Sequence, residues 1–368
     1  MTAPTLADEV FGTDLYRLLA GTAPDLVFSP VSVAAALRLA LLGARGQTAA
    51  ELAAALHLAG PDQAPDGLRQ LDALVAGSPA DVTFLVANTA WVQAGLPLLP
   101  RFTALLDASA SSAVTSIDFA SAPERAREQI NVAVAAQTEG KITALLDPGT
   151  IGASTRLVLA NAVYLKAPWA DPFPHRATET APFHPRPGQS VPVPVMHGTA
   201  RRDYVRGQGY QAVLLPYLAS TLAMAIIVPD GPLAALAARP ASTLLDGATA
   251  HQVTLSLPRF RVEAKIDLGP ALRELGVRAA FGGSADFAGV TSAARLQLAA
   301  AVHQAYLDVD EHGTEAAAAT ALTMRAMAIR KPPPAAEMVV DRPFLFAIID
   351  TASGSPLFLG QVTNPGRS

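Results

Sequence analysis

The chain has 368 residues, of which 51% are hydrophobic and 16% charged, with a formal net charge of −4. Globular proteins average about 25% charged residues, so this chain is too apolar to be disordered and long enough to bury a large core. It has no basic surplus for binding a nucleic-acid backbone. It has no cysteine, which excludes disulfides, cysteine-ligated metals and a thiol nucleophile.

The first 21 residues include Asp8, Glu9, Asp14 and Arg17, where a secretion signal needs an uninterrupted apolar stretch. The longest apolar run, residues 214–229, is too short to span a membrane. We therefore expect a cytoplasmic protein that does not contact membranes, with an extracellular location as the alternative.

Helical patterns dominate the first half of the chain. Residues 6–20 carry apolar side chains at helical spacing. Ser29-Pro30 predicts the start of a helix, and its body, residues 31–42, is apolar nearly all round, which is typical of a helix at the centre of a fold. Residues 48–51 match a capping box, and residues 125–146 predict a more polar helix.

Strand patterns prevail later in the chain. The predicted strands are residues 82–92, residues 157–165, several within residues 199–229, residues 253–262, and a hairpin of residues 344–350 and 357–362, with one helix at residues 268–275. Helices come first and strands follow, without the alternation of a parallel sheet. This order predicts an α+β fold with mainly antiparallel sheets.

Motifs for common enzyme chemistry are missing from the sequence. It has no G-x-S-x-G or H-E-x-x-H, and the seven histidines show no metal-ligand spacing. Residues 207–212 fit a dinucleotide-binding fingerprint, but a strand pattern follows instead of the required helix. We therefore expect no enzyme, no cofactor and no metal.

Residues 311–331 read EHGTEAAAATALTMRAMAIRK and allow two local structures. Alanine favours a helix, which Thr314 could cap. As a strand, alternate residues from Thr314 to Ala326 are uncharged, whereas Glu315 and Arg325 lie on the opposite face. Neither glycine nor proline interrupts the stretch from Thr314 onward, so it could also slide between two strands. The pattern alone leaves both structures open.

This segment resembles the hinge and reactive-centre loop of the serpins, the serine protease inhibitors. The family's hinge pattern E-x-G-T-E-A-A-A-A-T is matched by Glu311, Gly313, Thr314, Glu315, Ala316, Ala317, Ala318, Ala319 and Thr320. Other serpin-like motifs follow in family order, at residues 27–32, 43–48, 130–131, 138–142, 159–166, 257–260, 285–287, 302–305, 341–344, 356–360 and 364–365.

The resemblance implies a single serpin domain over residues 1–368, with three mainly antiparallel β-sheets, about nine helices and an exposed reactive-centre loop at about residues 311–335. It also implies suicide inhibition: a protease cuts the loop, and the loop inserts as a new strand into the main sheet while the acyl-enzyme is trapped. The alternative is a non-inhibitory serpin that acts as a carrier or chaperone. Such serpins commonly carry charged, bulky or proline residues in the hinge, and this hinge has none on its uncharged face.

Two groups of residues take their expected roles from the same resemblance. A buried polar cluster that lets the main sheet open is matched by Ser29, Ser32, Asn161 and His303. The top of the main sheet is matched by Trp169 and by an expected pair of Arg259 with Glu311. On insertion Thr314 would turn inward first, and Glu315 would stay in water.

The family places the cut bond at a fixed distance from the hinge glutamate, which from Glu311 gives Met327–Ala328. Arg325, Arg330 and Lys331 compete, because basic residues attract trypsin-like enzymes. Methionine suits a serine protease with an apolar primary pocket, of the elastase, chymotrypsin or subtilisin type. Residues 61–77 contain only Arg69 as a basic residue, so no glycosaminoglycan site is expected. We expect a monomer.

Overall fold

The computed structural model describes residues 3–106, 109–237, 239–315 and 335–367. The expected reactive bond Met327–Ala328 and the hinge residues 316–320 lie outside this range. The α-helices of the described residues are α1 (Ala3–Leu19), α2 (Pro30–Gly43), α3 (Gly46–Ala55), α4 (Ala64–Ala76), α5 (Pro100–Leu106), α6 (Pro123–Gln137), α7 (Ala241–Leu245) and α8 (Leu268–Glu274).

Helix α2 has the central position that its apolar composition predicts, because nearly all of its residues are buried. The Ser29 side chain caps it by accepting a hydrogen bond from the backbone N–H of Ser32 at 3.3 Å. Its apolar surface can be buried on all sides because it packs on α1, α3, α4 and the strands around it.

Two predictions about helix ends are wrong. The helix predicted for residues 125–146 ends at Gln137, since Glu139 and Gly140 turn the chain with positive φ angles of 51° and 76°. The capping box at residues 48–51 does not cap α3. Instead, Thr48 accepts a hydrogen bond from the Asp286 N–H, and the Glu51 carboxylate binds the N–H of Arg278. Both side chains therefore hold a distant segment against α3.

The strands of the described residues are β1 (Leu26–Phe28), β2 (Thr83–Gln93), β3 (Ser112–Ile117), β4 (Leu157–Pro168), β5 (Glu179–Phe183), β6 (Val191–Gly207), β7 (Tyr210–Pro216), β8 (Leu222–Pro229), β9 (Thr249–Pro258), β10 (Phe260–Asp267), β11 (Leu298–Val309), β12 (Gly313–Thr314), β13 (Ala335–Val339), β14 (Phe344–Asp350) and β15 (Ser355–Val362). These elements confirm the α+β class.

The central sheet has six strands in the order β10-β11-β12-β4-β2-β3. Strands β4 and β11 pair directly and in parallel from Leu157 and Leu298 up to Tyr164 and Tyr306. Above that point β12 lies between them and pairs with both in antiparallel orientation. The sheet therefore has a seam between β4 and β11 that is closed below and already entered at its upper end.

The other strands form one continuous sheet of nine, whereas the expectation counted two further sheets. The long strand β6 joins them into one sheet: its beginning pairs with β5, its middle with β9 and its end with β7. The strand predicted over residues 253–262 is divided, with β9 ending at Pro258 in the nine-stranded sheet and β10 starting at Phe260 in the central sheet. Arg259 lies at this crossing.

Helix α6 covers one face of the central sheet. Ile130 and Val134 of α6 pack in a buried cluster with Ala160 and Ala162 of β4 and Val302 of β11. Because side chains alternate along a strand, Tyr164, Lys166, Tyr306 and Asp308 belong to this same face, which we call the α6 face. The opposite face packs against α2 and the main core.

Candidate functional site

The start of the expected hinge lies inside the central sheet. Thr314 pairs with Ala167 on β4 and with Val309 on β11, and it has no exposed surface. Its hydroxyl lies 2.6 Å from the hydroxyl of Tyr217, within hydrogen-bonding distance. Thr314 therefore already faces the interior in the uncut protein.

Gly313 permits this close fit. Its φ angle of 157° is in the region that favours glycine, and a Cβ atom there would lie 2.1 Å from the carbonyl oxygen of Ala167. The backbone of the hinge therefore approaches β4 more closely than any residue with a side chain would allow.

Glu315 is largely shielded from water in the uncut protein. Its side chain is only 18% exposed and forms an ion pair with Lys141, which lies in the turn after α6. Its backbone N–H donates to the carbonyl of Asp308 at 2.7 Å, and its φ angle of 48° is unusual for a residue with a side chain. Burial, and then the Glu315 carboxylate, raise the pKa of Tyr164, so this carboxylate lies close to the Tyr164 ring.

Arg259 and Glu311 form the pair that the family resemblance implies, with Nη2 of Arg259 2.6 Å from Oε1 of Glu311. The Glu311 side chain is 1% exposed and also accepts a hydrogen bond from the Thr178 hydroxyl. Burial alone would raise the pKa of Glu311, but the hydrogen bonds from Arg259 and Thr178 outweigh it and lower the pKa. Glu311 is thus a buried carboxylate at the base of the hinge, held by an arginine whose side chain is partly exposed.

Trp169 joins the same region. Its indole N–H donates to the carbonyl of Asp310 at 3.0 Å, and its ring stacks on Tyr217 with centroids 4.6 Å apart. Tyr217 therefore supports Trp169 with its ring and meets Thr314 with its hydroxyl. Arg259, Glu311, Trp169 and Thr314 are brought together at the upper end of the seam.

The expected polar cluster also assembles, lower in the sheet and against α2. Asn161 donates from Nδ2 to Oγ of Ser32 at 2.7 Å and is paired with His303 across the seam. His303 Nε2 accepts from the backbone N–H of Ser29 at 3.1 Å, so Nδ1 carries the proton and donates to Oδ1 of Asn161. All four residues are buried. The cluster thus connects β4, β11 and the start of α2.

Complete burial lowers the pKa of His303 to about 3, because no counter-charge offsets the loss of water around a charged imidazole. The imidazole is therefore neutral at physiological pH and acts as one donor and one acceptor. This is the arrangement that its two partners require.

Four residues of the site were not predicted from the sequence to contact the hinge or the polar cluster: Asn88, Thr178, Tyr217 and Lys141. Asn88 Oδ1 accepts hydrogen bonds from both Ser32 and Asn161. A lone amide within the apolar pattern of residues 82–92 was a usable signal, since buried polar groups need partners. The other three carry no local signal, because their partners are distant along the chain.

Among the described residues, no group of three or more histidine, aspartate, glutamate or cysteine side chains could hold a metal ion. No helix in that part of the chain is long and apolar enough to cross a membrane.

The chain is similar to known proteins over almost its whole length. A family model described as "Serpin (serine protease inhibitor)" matches residues 6–365. The leukocyte elastase inhibitor of Bos taurus is 35% identical and covers 98% of both chains, and Iris of Ixodes ricinus is 35% identical over 96% of both. The crystal structure of Serpin48 from the insect Tenebrio molitor superimposes with a TM-score of 0.87 at 28% identity, over 98% of both chains. The chain therefore belongs to the serpin family, and its fold is the serpin fold.

Proposed function

We propose that the protein is a suicide inhibitor of serine proteases and not an enzyme. The observation that carries this proposal is the position of Gly313 and Thr314, which lie between β4 and β11 with Thr314 fully buried. A hinge that has already entered the seam needs only to continue in the same register to become a full strand. Relatives named as inhibitors, such as the leukocyte elastase inhibitor, support the same function.

The proposed reaction starts at the Met327–Ala328 bond. The serine hydroxyl of the protease attacks the carbonyl carbon of Met327, the peptide bond breaks, and the Ala328 nitrogen leaves with the proton as a new amino terminus. Met327 then forms an ester with the protease. The freed strand enters the seam and carries the protease along it, and distortion of the protease prevents hydrolysis of the ester.

Insertion of the loop replaces one ladder of backbone hydrogen bonds in the central sheet with two. The parallel pairing of β4 with β11, from Leu157 and Leu298 to Tyr164 and Tyr306, must open. Two antiparallel ladders to the new strand replace it, and antiparallel pairing is slightly more stable per residue. The net gain is about one ladder, or about a dozen hydrogen bonds at about 1 kcal/mol each. A driving force of that size supports trapping of a bound enzyme.

Opening of the seam gives the polar cluster its proposed role. Asn161 and His303 face each other across the seam, so their hydrogen bond must break when β4 and β11 separate. We infer that Ser29 and Ser32 keep both side chains partnered while the strands move, because each also bonds to the start of α2. The same cluster would then stabilise the closed sheet and keep its buried polar groups hydrogen-bonded when the sheet opens.

The target is a serine protease with an apolar primary pocket, of the elastase, chymotrypsin or subtilisin type. A methionine at the proposed cut position, Met327, suits such a pocket, with Arg325 and Arg330 as alternative cut sites. No glycosaminoglycan cofactor is proposed, because Arg69 on α4 is already paired with Asp66. We propose a single-domain monomer in the cytoplasm.

A panel of serine proteases tests the proposal. We expect an SDS-resistant complex with an elastase- or chymotrypsin-like enzyme. We also expect a released peptide whose mass corresponds to a chain that begins at Ala328. Cleavage with full recovery of protease activity in every case would instead indicate the non-inhibitory alternative, a carrier or chaperone. A peptide beginning after Arg325 or Arg330 would move the reactive bond.

A further inference from the structure

Glu315 stands one residue beyond the part of the hinge that has entered the sheet. Because Thr314 pairs with Ala167 and Val309, continuing the two ladders places Glu315 opposite Lys166 on β4 and Asp308 on β11. Both neighbours belong to the α6 face. An extended Glu315 would therefore meet one cation and one anion on that face.

The uncut protein holds Glu315 differently. Its φ angle of 48° lies outside the extended region, so Glu315 does not continue the strand, and its carboxylate pairs with Lys141 above the Tyr164 ring. Lys141 lies 5.8 Å from the centre of that ring. Tyr164 and Tyr306 are the uppermost directly paired residues of the closed seam. The ion pair thus lies over the point where the seam would open next.

Lys166 completes the arrangement. Its side chain is partly exposed and forms neither a hydrogen bond nor an ion pair with the described residues. It stands beside the opening, next to Thr83 on β2 and across from the position that an extended Glu315 would take. A lysine with no counter-ion among the described residues is thus located where the incoming carboxylate would pass.

We propose that Glu315 exchanges its counter-ion from Lys141 to Lys166 when the loop inserts, and that Lys141 is a positioning residue that stops insertion after Thr314. This inference rests on the proposed inhibitory function. The Lys141 pair stabilises the stopped state, since it holds Glu315 in the turned conformation. It must break before Glu315 can become extended.

Lys166 then stabilises the inserted state. Side chains directly opposite each other in a ladder have Cβ atoms about 4.5–5.5 Å apart, and like charges in such positions are destabilising. Without Lys166, the one charged side chain directly opposite an extended Glu315 in the two ladders would be Asp308. Lys141 therefore stabilises the state before insertion, and Lys166 stabilises the state after it.

The test compares Lys141→Gln and Lys166→Gln in intact protein and in protein cut within the loop. Lys141→Gln should accelerate loss of inhibitory activity on incubation without protease by about two- to fivefold, as expected for a partly exposed ion pair, and leave the denaturation midpoint of cut protein unchanged. Lys166→Gln should do the reverse, lowering the midpoint of cut protein only. Lys141→Arg should behave as wild type.

Glu315→Gln provides the coupling control. In its background neither lysine substitution should have an effect, because the moving charge is gone. Equal effects of Lys141→Gln and Lys166→Gln on both forms, or effects that persist beside Glu315→Gln, would overturn the exchange. If wild-type protein forms no complex and gains no stability on cutting, the inhibitory function itself fails, which is a different result.

Discussion

Thr314 is the residue on which inhibitor and substrate behaviour should separate. It is fully buried between β4 and β11, and its hydroxyl meets Tyr217 within the core at the top of the sheet. Glu315, the next residue, lies on the α6 face and is partly exposed. Two adjacent hinge positions therefore differ sharply in the side chain that they tolerate.

Thr314→Arg should convert the protein from an inhibitor into a substrate. The charged side chain cannot enter the buried position without losing its water, so the loop starts from outside the sheet and inserts more slowly. Each 1.4 kcal/mol added to the insertion barrier slows insertion about tenfold relative to hydrolysis of the acyl-enzyme. The number of inhibitor molecules consumed per protease inactivated should rise at least about tenfold.

The matched control for this substitution is Glu315→Gln, which keeps the size of the side chain and removes its charge. It should inhibit at least as well as wild type. Equal stoichiometries for the two variants would contradict the assignment of Thr314 to the buried face and Glu315 to the α6 face.

His303 should make folding stability dependent on pH. Its pKa in the folded protein is about 3 against an ordinary value of 6.5, so the unfolded chain binds an additional proton between these limits. Above pH 6.5 the imidazole is neutral in both states and does not change the free energy of unfolding. As the pH falls from 6.5 towards 3, protonation of the unfolded chain lowers the free energy of unfolding by about 1.4 kcal/mol per pH unit. Denaturation midpoints at pH 7, 6 and 5 should show a shallower decline for His303→Gln than for wild type; parallel curves would rule out this role.

Met327→Arg tests the position of the reactive bond. It should shift inhibition from elastase-like to trypsin-like proteases while SDS-stable complexes still form, because only the residue that enters the primary pocket changes. Mass spectrometry of the released peptide identifies the cut. Cleavage only after Arg325 or Arg330, without a trapped complex, would show that the bond lies elsewhere.

At the scale of secondary-structure elements, the seam between β4 and β11 is the place where the central sheet can accept a further strand. The two strands are paired in parallel over most of their length, while β12 has entered only at the top. Helix α6 packs across the front of β4 and β11 and is tied to the following turn by Asn131, whose side chain bonds both the N–H and the carbonyl of Leu146. An inserting strand must pass beneath this cover.

Cutting the loop with a non-target protease should therefore raise thermal stability strongly. The new strand adds about one full ladder, which amounts to about 10 kcal/mol by hydrogen bonds alone. Melting curves of intact and cut protein measure the effect directly. Identical midpoints would indicate that the loop does not insert, and would favour the non-inhibitory alternative.

At the scale of the whole molecule, the uncut protein should be metastable and held by a kinetic barrier. Gentle heating without protease should convert it slowly to a form that no longer inhibits and that resists denaturant, because the intact loop can then enter the seam. Residual inhibition, followed together with size-exclusion chromatography, measures this conversion. Loss of inhibition should occur while the protein still elutes as a monomer; loss that always accompanies unfolding would argue against metastability.

Some of these features are determined by short-range pattern. The apolar surface of α2 predicts its burial, Ser29 predicts its cap, and the uncharged alternation from Thr314 onward allows a strand that can be buried on one face. The family motifs predict that Arg259 pairs with Glu311 and that Asn161 and His303 share one cluster. The predictions for α2 and its cap succeed because periodicity and capping depend on side chains that are neighbours along the chain. The two pairings join distant residues and follow from the family resemblance alone.

Tertiary structure alone decided the rest. Lys141 and Glu315 are 174 residues apart in sequence, and Tyr217 meets Thr314 across 97 residues, so no local pattern could pair them. The division between β9 and β10 at Arg259 likewise depends on which sheet each strand joins. The sequence shows that the hinge is able to insert, but the register of β12 against β4 and β11 decides that Thr314 has already entered and that Glu315 stops outside. Register is fixed by packing and hydrogen bonds between distant strands, which is why it could not be read from the chain in order.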